Sequence, residues 1–196
     1  MGQPRVHDLQ AAFRDARRRW GGNGSGSTPA KTSTLGPAVA ALIKQSEIHT
    51  VIDLGCGDLG WFAPVAYELG EGYLGVDVVS EVIDGNQRAH GKLRFQRISG
   101  PADVLHEVDL VVCRDVLAHL PNALALATLQ QIARAAPLLL ATSHPRSRGN
   151  SDIPRPGGAR PVNLQAHPFD LGAPLQLIPD ADHKVMGLWP IRERMA

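Results

Sequence analysis

The 196-residue sequence predicts an α/β fold: a doubly wound, mostly parallel sheet of about seven strands with an antiparallel C-terminal strand, preceded by an N-terminal helical extension. Three observations carry this reading. Val51 to Gly57 (VIDLGCG) ends an apolar run in an acid and a glycine pair. Tyr73 to Asp77 (YLGVD) closes a second apolar run in an acid about one β-α-β unit later. Short apolar runs then keep alternating with helix-period segments as far as Thr142, which demands a parallel sheet covered by helices on both faces.

The elements follow in order. From Val6 through Leu9, Phe13 and Ala16 to Trp20 the apolar residues step by three and four, one face of a helix, while Arg14, Arg17, Arg18 and Arg19 crowd its other sides as a solvated face. Gly21 to Ser33 (GGNGSGSTPAKTS) has the composition of a flexible loop before a helix at Leu35 to Gln45. The first strand, about Thr50 to Leu54, precedes a helix near Trp61 to Leu69, and the second, Tyr73 to Asp77, precedes one near Ser80 to His90. A third strand around Leu93 to Ile98, a Gly-Pro turn and a fourth strand, Asp109 to Cys113, come next. Pro121 opens a helix whose Ala125, Leu129, Ile132 and Ala133 share a face, because the first helical position needs no amide proton. Leu138 to Thr142 supplies the fifth strand. The tail is rich in proline: Pro145 to Pro174 reads as a long ordered loop, and Leu175 to Ile178 with Val185 to Trp189 as a final antiparallel pair.

At 43% hydrophobic residues the chain reads as one domain over residues 1–196, large enough to bury roughly 70% of its unfolded surface. A net charge of +1 supplies no general field for nucleic acid or acidic membranes, and no apolar stretch approaches a membrane span or a signal core. The expected partner is therefore a small-molecule substrate, with no nucleic acid and no membrane, in a cytoplasmic monomer or homodimer. Cys56 and Cys113 are spaced as packing residues, and the carboxylates and histidines are too scattered to specify a metal site.

The glycine turn, Gly55-Cys56-Gly57-Asp58-Leu59-Gly60, satisfies G-x-G-x-x-G, with Asp77 near the spacing of an acid that reads a ribose. Asp53, two positions before Gly55, decides between cofactors. A dinucleotide would lay its pyrophosphate over this turn, where a carboxylate opposes it. S-adenosylmethionine carries a sulfonium and an ammonium instead, and Asp53 would stabilise that end directly or through water.

The order acid, glycine pair, strand-ending acid resembles the class I S-adenosylmethionine-dependent methyltransferases, which have a Rossmann-like fold. The resemblance extends over nearly the whole chain to a group of small bacterial proteins of this kind, through Trp20-Gly21-Gly22, Cys113-Arg114-Asp115, His119-Leu120, Asn150-Ser151-Asp152-Ile153, Arg160-Pro161-Val162-Asn163-Leu164, Pro168-Phe169, Lys184 and Leu188-Trp189. It implies that residues 1–34 form an N-terminal helical lid over the cofactor, a plain linker being the alternative, and that residues 143–174 form a substrate-side loop. It also extends the cofactor contacts from Asp53, Gly55, Gly57 and Asp77 to Trp20, Cys56, Val78, Ser99 and Arg114. Ser99 is a departure, since such enzymes often place an acid there for adenine; its hydroxyl or a backbone amide would take over.

Ligands of open parallel sheets bind beyond the carboxyl ends of the strands, which selects Arg114, Asp115 and His119 after the fourth strand and Ser143 and His144 after the fifth. His119 is the candidate general base, with Asp115 holding its tautomer, and His144 is a second catalytic candidate; hydrogen-bonded structural roles are the alternatives. Ser143, Asp152, Arg160 and Asn163 are candidates for substrate binding, Arg160 offering a planar fork for a carboxylate or phosphate, or for fixing their own loop. The expected activity is methyl transfer to an oxygen or nitrogen of a small polar molecule in specialised metabolism. Cyclisation of S-adenosylmethionine with release of methylthioadenosine, or cofactor binding without turnover, are the rival readings.

Overall fold

In a computed structural model, which describes residues 6–101, 103 and 105–195, five parallel strands run from one edge of a seven-stranded sheet through its middle. They are β1 (Val51–Leu54), β2 (Tyr73–Asp77), β3 (Arg94–Arg97), β4 (Leu110–Cys113) and β5 (Leu138–Ser143). β6 (Gln176–Pro179) and β7 (Val185–Trp189) complete the order β3-β2-β1-β4-β5-β7-β6, with β7 antiparallel to both neighbours. β1, β2 and β4 are buried along their whole lengths, as unbroken apolar runs in a doubly covered sheet require. The reversal between β1 and β2 on one side and β4 on the other opens a crevice at the carboxyl ends of these strands, so Asp53, Gly55, Asp77 and Arg114 converge there.

Helices α1 (Val6–Trp20), α6 (Asn122–Ala135) and α7 (Ile191–Arg194) cover one face, packing Leu9, Ala125, Leu129, Ile132 and Ile191 on Ile52, Val76, Val111 and Leu139. Helices α3 (Leu35–Gln45), α4 (Ala63–Leu69) and α5 (Ser80–Ala89) cover the other, burying Val39, Leu42, Val65, Ala66 and Ile83 against Val51, Tyr73 and Leu110. No helix joins β3 to β4 among the described residues. Leu9 of α1 closes against that connection instead; a Cβ on Gly100 would lie 2.6 Å from its Cδ1.

Several boundaries differ from the sequence expectation for identifiable reasons. The Gly21 to Ser33 stretch contains a 3-10 turn at Ser25–Ser27 and a short helix, α2 (Pro29–Thr32), opened by Pro29 at its first position. α6 begins at Asn122 rather than Pro121, with the carboxylate of Asp152 accepting the Asn122 N–H at 2.7 Å. α4 begins at Ala63, two residues later than expected, after turns that bury Phe62. Residues 145–174 contain no helix or strand, and Val162, Leu164, Phe169 and Leu171 anchor them in the core. α7 had no sequence signal strong enough to predict it. Residues 1–5 of the N-terminal extension lie outside the described residues, and no described helix is long and apolar enough to cross a membrane.

Candidate active site

The glycine turn closes the carboxyl end of β1. Gly55 and Gly57 both have positive φ, 74° and 56°, a conformation glycine adopts without steric cost. A Cβ on Gly55 would run into the Val116 side chain, and one on Gly57 would sit 2.6 Å from the amide of Asn23, so both positions require glycine twice over. Asp77 is oriented from this turn: one carboxylate oxygen accepts the Gly57 N–H at 3.2 Å and the other the Val79 N–H at 2.9 Å. Each oxygen keeps a lone pair for a diol. Burial raises the Asp77 pKa although these amides oppose it.

Asp53 stands behind the turn. It is 2% exposed, does not line the cavity, and accepts a hydrogen bond from the Tyr73 hydroxyl at 3.2 Å. Burial pushes its pKa up to about 7, against the opposing effect of Tyr73. A contact from this carboxylate to a cofactor cation would therefore run through water, the second of the two routes open in the sequence.

The cavity of about 140 Å³ in front of the turn is lined by Gly55, Cys56, Gly57, Asp77, Val78 and Val79 on one side and by Trp20, Arg114, Asp115, Val116 and His119 on the other. His119 lies in the 3-10 turn Leu117–His119 after β4. Its Nδ1 is 2.6 Å from the carbonyl oxygen of Gly158, and its ring lies 4.4 Å from that of Trp20, tilted by 38°. A carbonyl only accepts, so Nδ1 carries the proton and Nε2 holds the free lone pair. Burial lowers the His119 pKa and keeps the ring neutral near pH 7. The tautomer is thus set by Gly158, which corrects the expectation that Asp115 sets it.

A family model described as a methyltransferase domain matches residues 6–169. The chain belongs to the methyltransferase domain family. Its fold agrees: magnesium protoporphyrin IX methyltransferase (ChlM) from Synechocystis PCC 6803 with bound S-adenosylhomocysteine superposes with a TM-score of 0.65 at 18% identity, over 94% of this chain and 97% of that one. TnmH gives 0.63 at 19% identity, over 95% of this chain and 61% of that one. The N-terminal domain of EvdMO1, solved in the presence of S-adenosylhomocysteine and D-fucose, gives 0.57 at 13%, over 81% of each chain. None of the curated proteins matches the chain. The family assignment makes the protein a class I methyltransferase and carries with it S-adenosylmethionine as methyl donor.

The groups lining the methyltransferase cavity suit that donor chemically. The glycine turn has no side chain of its own to block close backbone approach, although Asn23 lies against Gly57; Asp77 offers acceptors already oriented for ribose hydroxyls, and Val78 and Ile98 supply apolar wall for a flat ring. Ser99 is absent from the wall; its N–H is held by Asp103 at 2.5 Å, while the neighbouring Ile98, Gly100 and Pro101 face the cavity.

Arg114 is almost wholly buried and binds Asp180 in bidentate fashion, Nε at 3.0 Å and Nη2 at 3.1 Å. It also donates to Ser27 Oγ at 3.0 Å and Gly26 O at 2.8 Å, and lies over the Trp61 ring at 5.3 Å. Asp115 has a φ of 56°, its N–H donates to Thr142 Oγ1 at 2.9 Å, and Lys184 Nζ donates to its Oδ2 at 2.7 Å. Burial alone would raise the Asp115 pKa, but Lys184 and Arg114 overcome it and hold the carboxylate charged.

The second group of expected residues lies apart from the cavity wall. His144 Nδ1 accepts the Val162 N–H at 3.1 Å, and burial lowers its pKa. Ser143 Oγ accepts the Leu164 N–H, Asp152 the N–H groups of Asn122 and Ile153, and Asn163 braces Ser147 O and the Gln165 N–H. Arg160 donates to Ser151 O at 2.9 Å and Leu120 O at 2.7 Å. In this structure these side chains build the loop, the alternative left open by the sequence.

Asn23, Ser27, Gly158 and Asp180 carry no local sequence signal for a site role, and the resemblance, which includes Lys184, assigns it none. Asp180 and Lys184 are 66 and 69 residues from their partners, and only the β6–β7 turn brings them together. Gln131 is a further omission. It borders the cavity from α6, 7% exposed, and its Nε2 has no partner among the described residues.

Proposed function

We propose that this methyltransferase moves the methyl group of S-adenosylmethionine to an oxygen or nitrogen of a small polar molecule, in the cytoplasm and in specialised metabolism. The observation that carries the reading is the placement of Asp77 and His119 on one cavity, a ribose-type acceptor at one end and a neutral imidazole at the other. S-adenosylmethionine supplies an electrophilic methyl group on a sulfonium. Asp77 would hold the ribose, the glycine turn would admit the cofactor's polar chain, and Trp20 and His119 would bound the acceptor. The Nε2 lone pair of His119 is placed to take the acceptor's proton as the in-line displacement proceeds. The EvdMO1 N-terminal domain, solved in the presence of both S-adenosylhomocysteine and the sugar D-fucose, is in keeping with a small polar acceptor.

On this reading residues 1–196 are one cofactor-binding domain, residues 1–34 a lid and 143–174 the substrate-side loop. The cavity's 140 Å³ falls below the roughly 300–1,000 Å³ of pockets that take ligands of this size, and the Asn23 amide lies against Gly57. Admission of the cofactor therefore needs the segment around Asn23 to move outward. Incubating the protein with S-adenosylmethionine and cell extract, and identifying the sulfur product by mass spectrometry, tests the reaction. S-adenosylhomocysteine is the expected product; methylthioadenosine would replace methyl transfer by cyclisation.

A further inference from the structure

At the acceptor end of the cavity, built by Trp20, Asp115 and His119, the acid and the imidazole offer hydrogen-bond acceptors, Trp20 contributes its ring, and no cation is available among the described residues. His119 presents the Nε2 lone pair, because Nδ1–H is committed to Gly158 O. Asp115 uses Oδ2 for Lys184 at 2.7 Å and, at 3.5 Å, for Arg114, while Oδ1 accepts no hydrogen bond from the described residues and the side chain is 25% exposed. Nearby positive charge is already spent. Arg114 gives its N–H groups to both oxygens of Asp180, to Ser27 and to Gly26. Lys184 is buried on Asp115 and Asp180, and Arg160 is bound to two carbonyls of its own loop. Arg17, the other cation on the wall, binds Asn23 above the glycine turn at the cofactor end.

On the methyl-transfer reading above, we infer that the acceptor is a hydroxyl- or amine-bearing molecule with at least two hydrogen-bond donors, and that carboxylates and phosphates are excluded as acceptors. One donor, the reacting group, meets His119 Nε2; the second meets Asp115 Oδ1. An anion placed here would face the charged Asp115 at short range with no free guanidinium or ammonium to compensate, a desolvated like-charge contact. In the reaction the acceptor oxygen or nitrogen forms its bond to the methyl carbon as the sulfur–methyl bond breaks, the electron pair of that bond staying on sulfur as the thioether. The acceptor's proton passes to Nε2. Lys184 acts as a positioning residue, holding Asp115 charged and aimed at the cavity.

Matched probes test this. Protein saturated with S-adenosylhomocysteine is titrated with cis-1,2-cyclohexanediol and with cis-1,2-cyclohexanedicarboxylate, following the His119 ring signals by NMR. The diol is expected to bind at least about tenfold more tightly than the diacid and to shift the His119 signals. Asp115→Asn, which keeps the shape and removes the charge, should narrow that preference to below about threefold while S-adenosylhomocysteine affinity stays within about threefold. Equal or tighter binding of the diacid, no diol binding at His119, or an unchanged preference in Asp115→Asn would overturn the inference alone. Failure of the wild-type protein to bind S-adenosylhomocysteine would instead overturn the cofactor reading and this inference with it.

Discussion

The Gly158 carbonyl takes the Nδ1 proton of His119 at 2.6 Å, a bond that joins the turn after β4 to a loop 39 residues further along the chain. It fixes the tautomer that leaves Nε2 unprotonated. Replacing His119 by Asn should lower turnover by roughly 10²–10⁴-fold and leave cofactor affinity within about threefold. Because burial lowers the His119 pKa, the acidic limb of the wild-type rate profile should fall below the ordinary histidine range near 6.5, the base being silenced only as pH drops through it. Near-wild-type turnover in the variant would make His119 a wall residue, with proton loss left to water.

Asp53 gives a stability test with an unusual sign. Its pKa is raised to about 7 in the folded chain from 3.8, so the native state favours the protonated form. Its contribution to stability is fully present below pH 3.8 and is lost as pH rises through about 7. Asp53→Asn should gain on the wild type between pH 4 and pH 8, by on the order of a few kcal/mol in denaturant titrations. Binding of a cationic cofactor near this carboxylate should also release protons at pH 7, measurable by calorimetry in buffers of different ionisation enthalpy. A stability difference independent of pH would contradict the assignment.

Arg114 and Asp180 form a buried pair, with side chains 3% and 0% exposed. Arg114→Ala removes the bidentate partner of the buried Asp180 carboxylate, leaving it Lys184 at 3.8 Å and the Ala181 N–H, and should cost on the order of 3 kcal/mol of folding stability. Asp180→Ala takes the bidentate partner from Arg114, leaving Ser27, Gly26, the face of Trp61 and the more distant Asp115 carboxylate at 3.5 Å, and should be comparably damaging. Chemical denaturation of both variants and the double mutant reads the coupling; additive losses would contradict a dedicated pair.

The segment from Gly21 to Lys31 is held by Arg114 on Ser27 and Gly26 and by Lys31 on Asp182 at 2.6 Å. With cofactor beneath it, the segment gains contacts and should resist cleavage. Limited proteolysis should show at least about fivefold slower cutting in this segment when S-adenosylhomocysteine is added. Equal rates would leave it a linker.

Most of the fold was legible because the information is local. The apolar runs ending in Asp53 and Asp77, and the 3.6-residue period of α1 and α6, fix strand and helix types within a few residues of sequence. The antiparallel β6–β7 pair was legible by the same logic, with β6 displaced by one residue. Of the residues selected by the carboxyl-end rule, Arg114, Asp115 and His119 line one cavity together with the strand-ending Asp77. The rule failed for Ser143 and His144, which obey it in sequence but lie under the 145–174 loop, whose path depends on long-range hydrogen bonds such as Val162 N–H to His144. The partners that tune the site, Gly158 for His119, Lys184 for Asp115 and Asp180 for Arg114, have no local signature and emerge only on folding.

The most direct test of the site is a crystal structure of the protein with S-adenosylmethionine and its acceptor end free. Both ribose hydroxyls should lie on Asp77, the methionine chain over Gly55 and Gly57, and the S-methyl group should be directed at the space between His119 Nε2 and Asp115. A ribose bound away from Asp77, or a methyl group pointing away from His119, would contradict this placement.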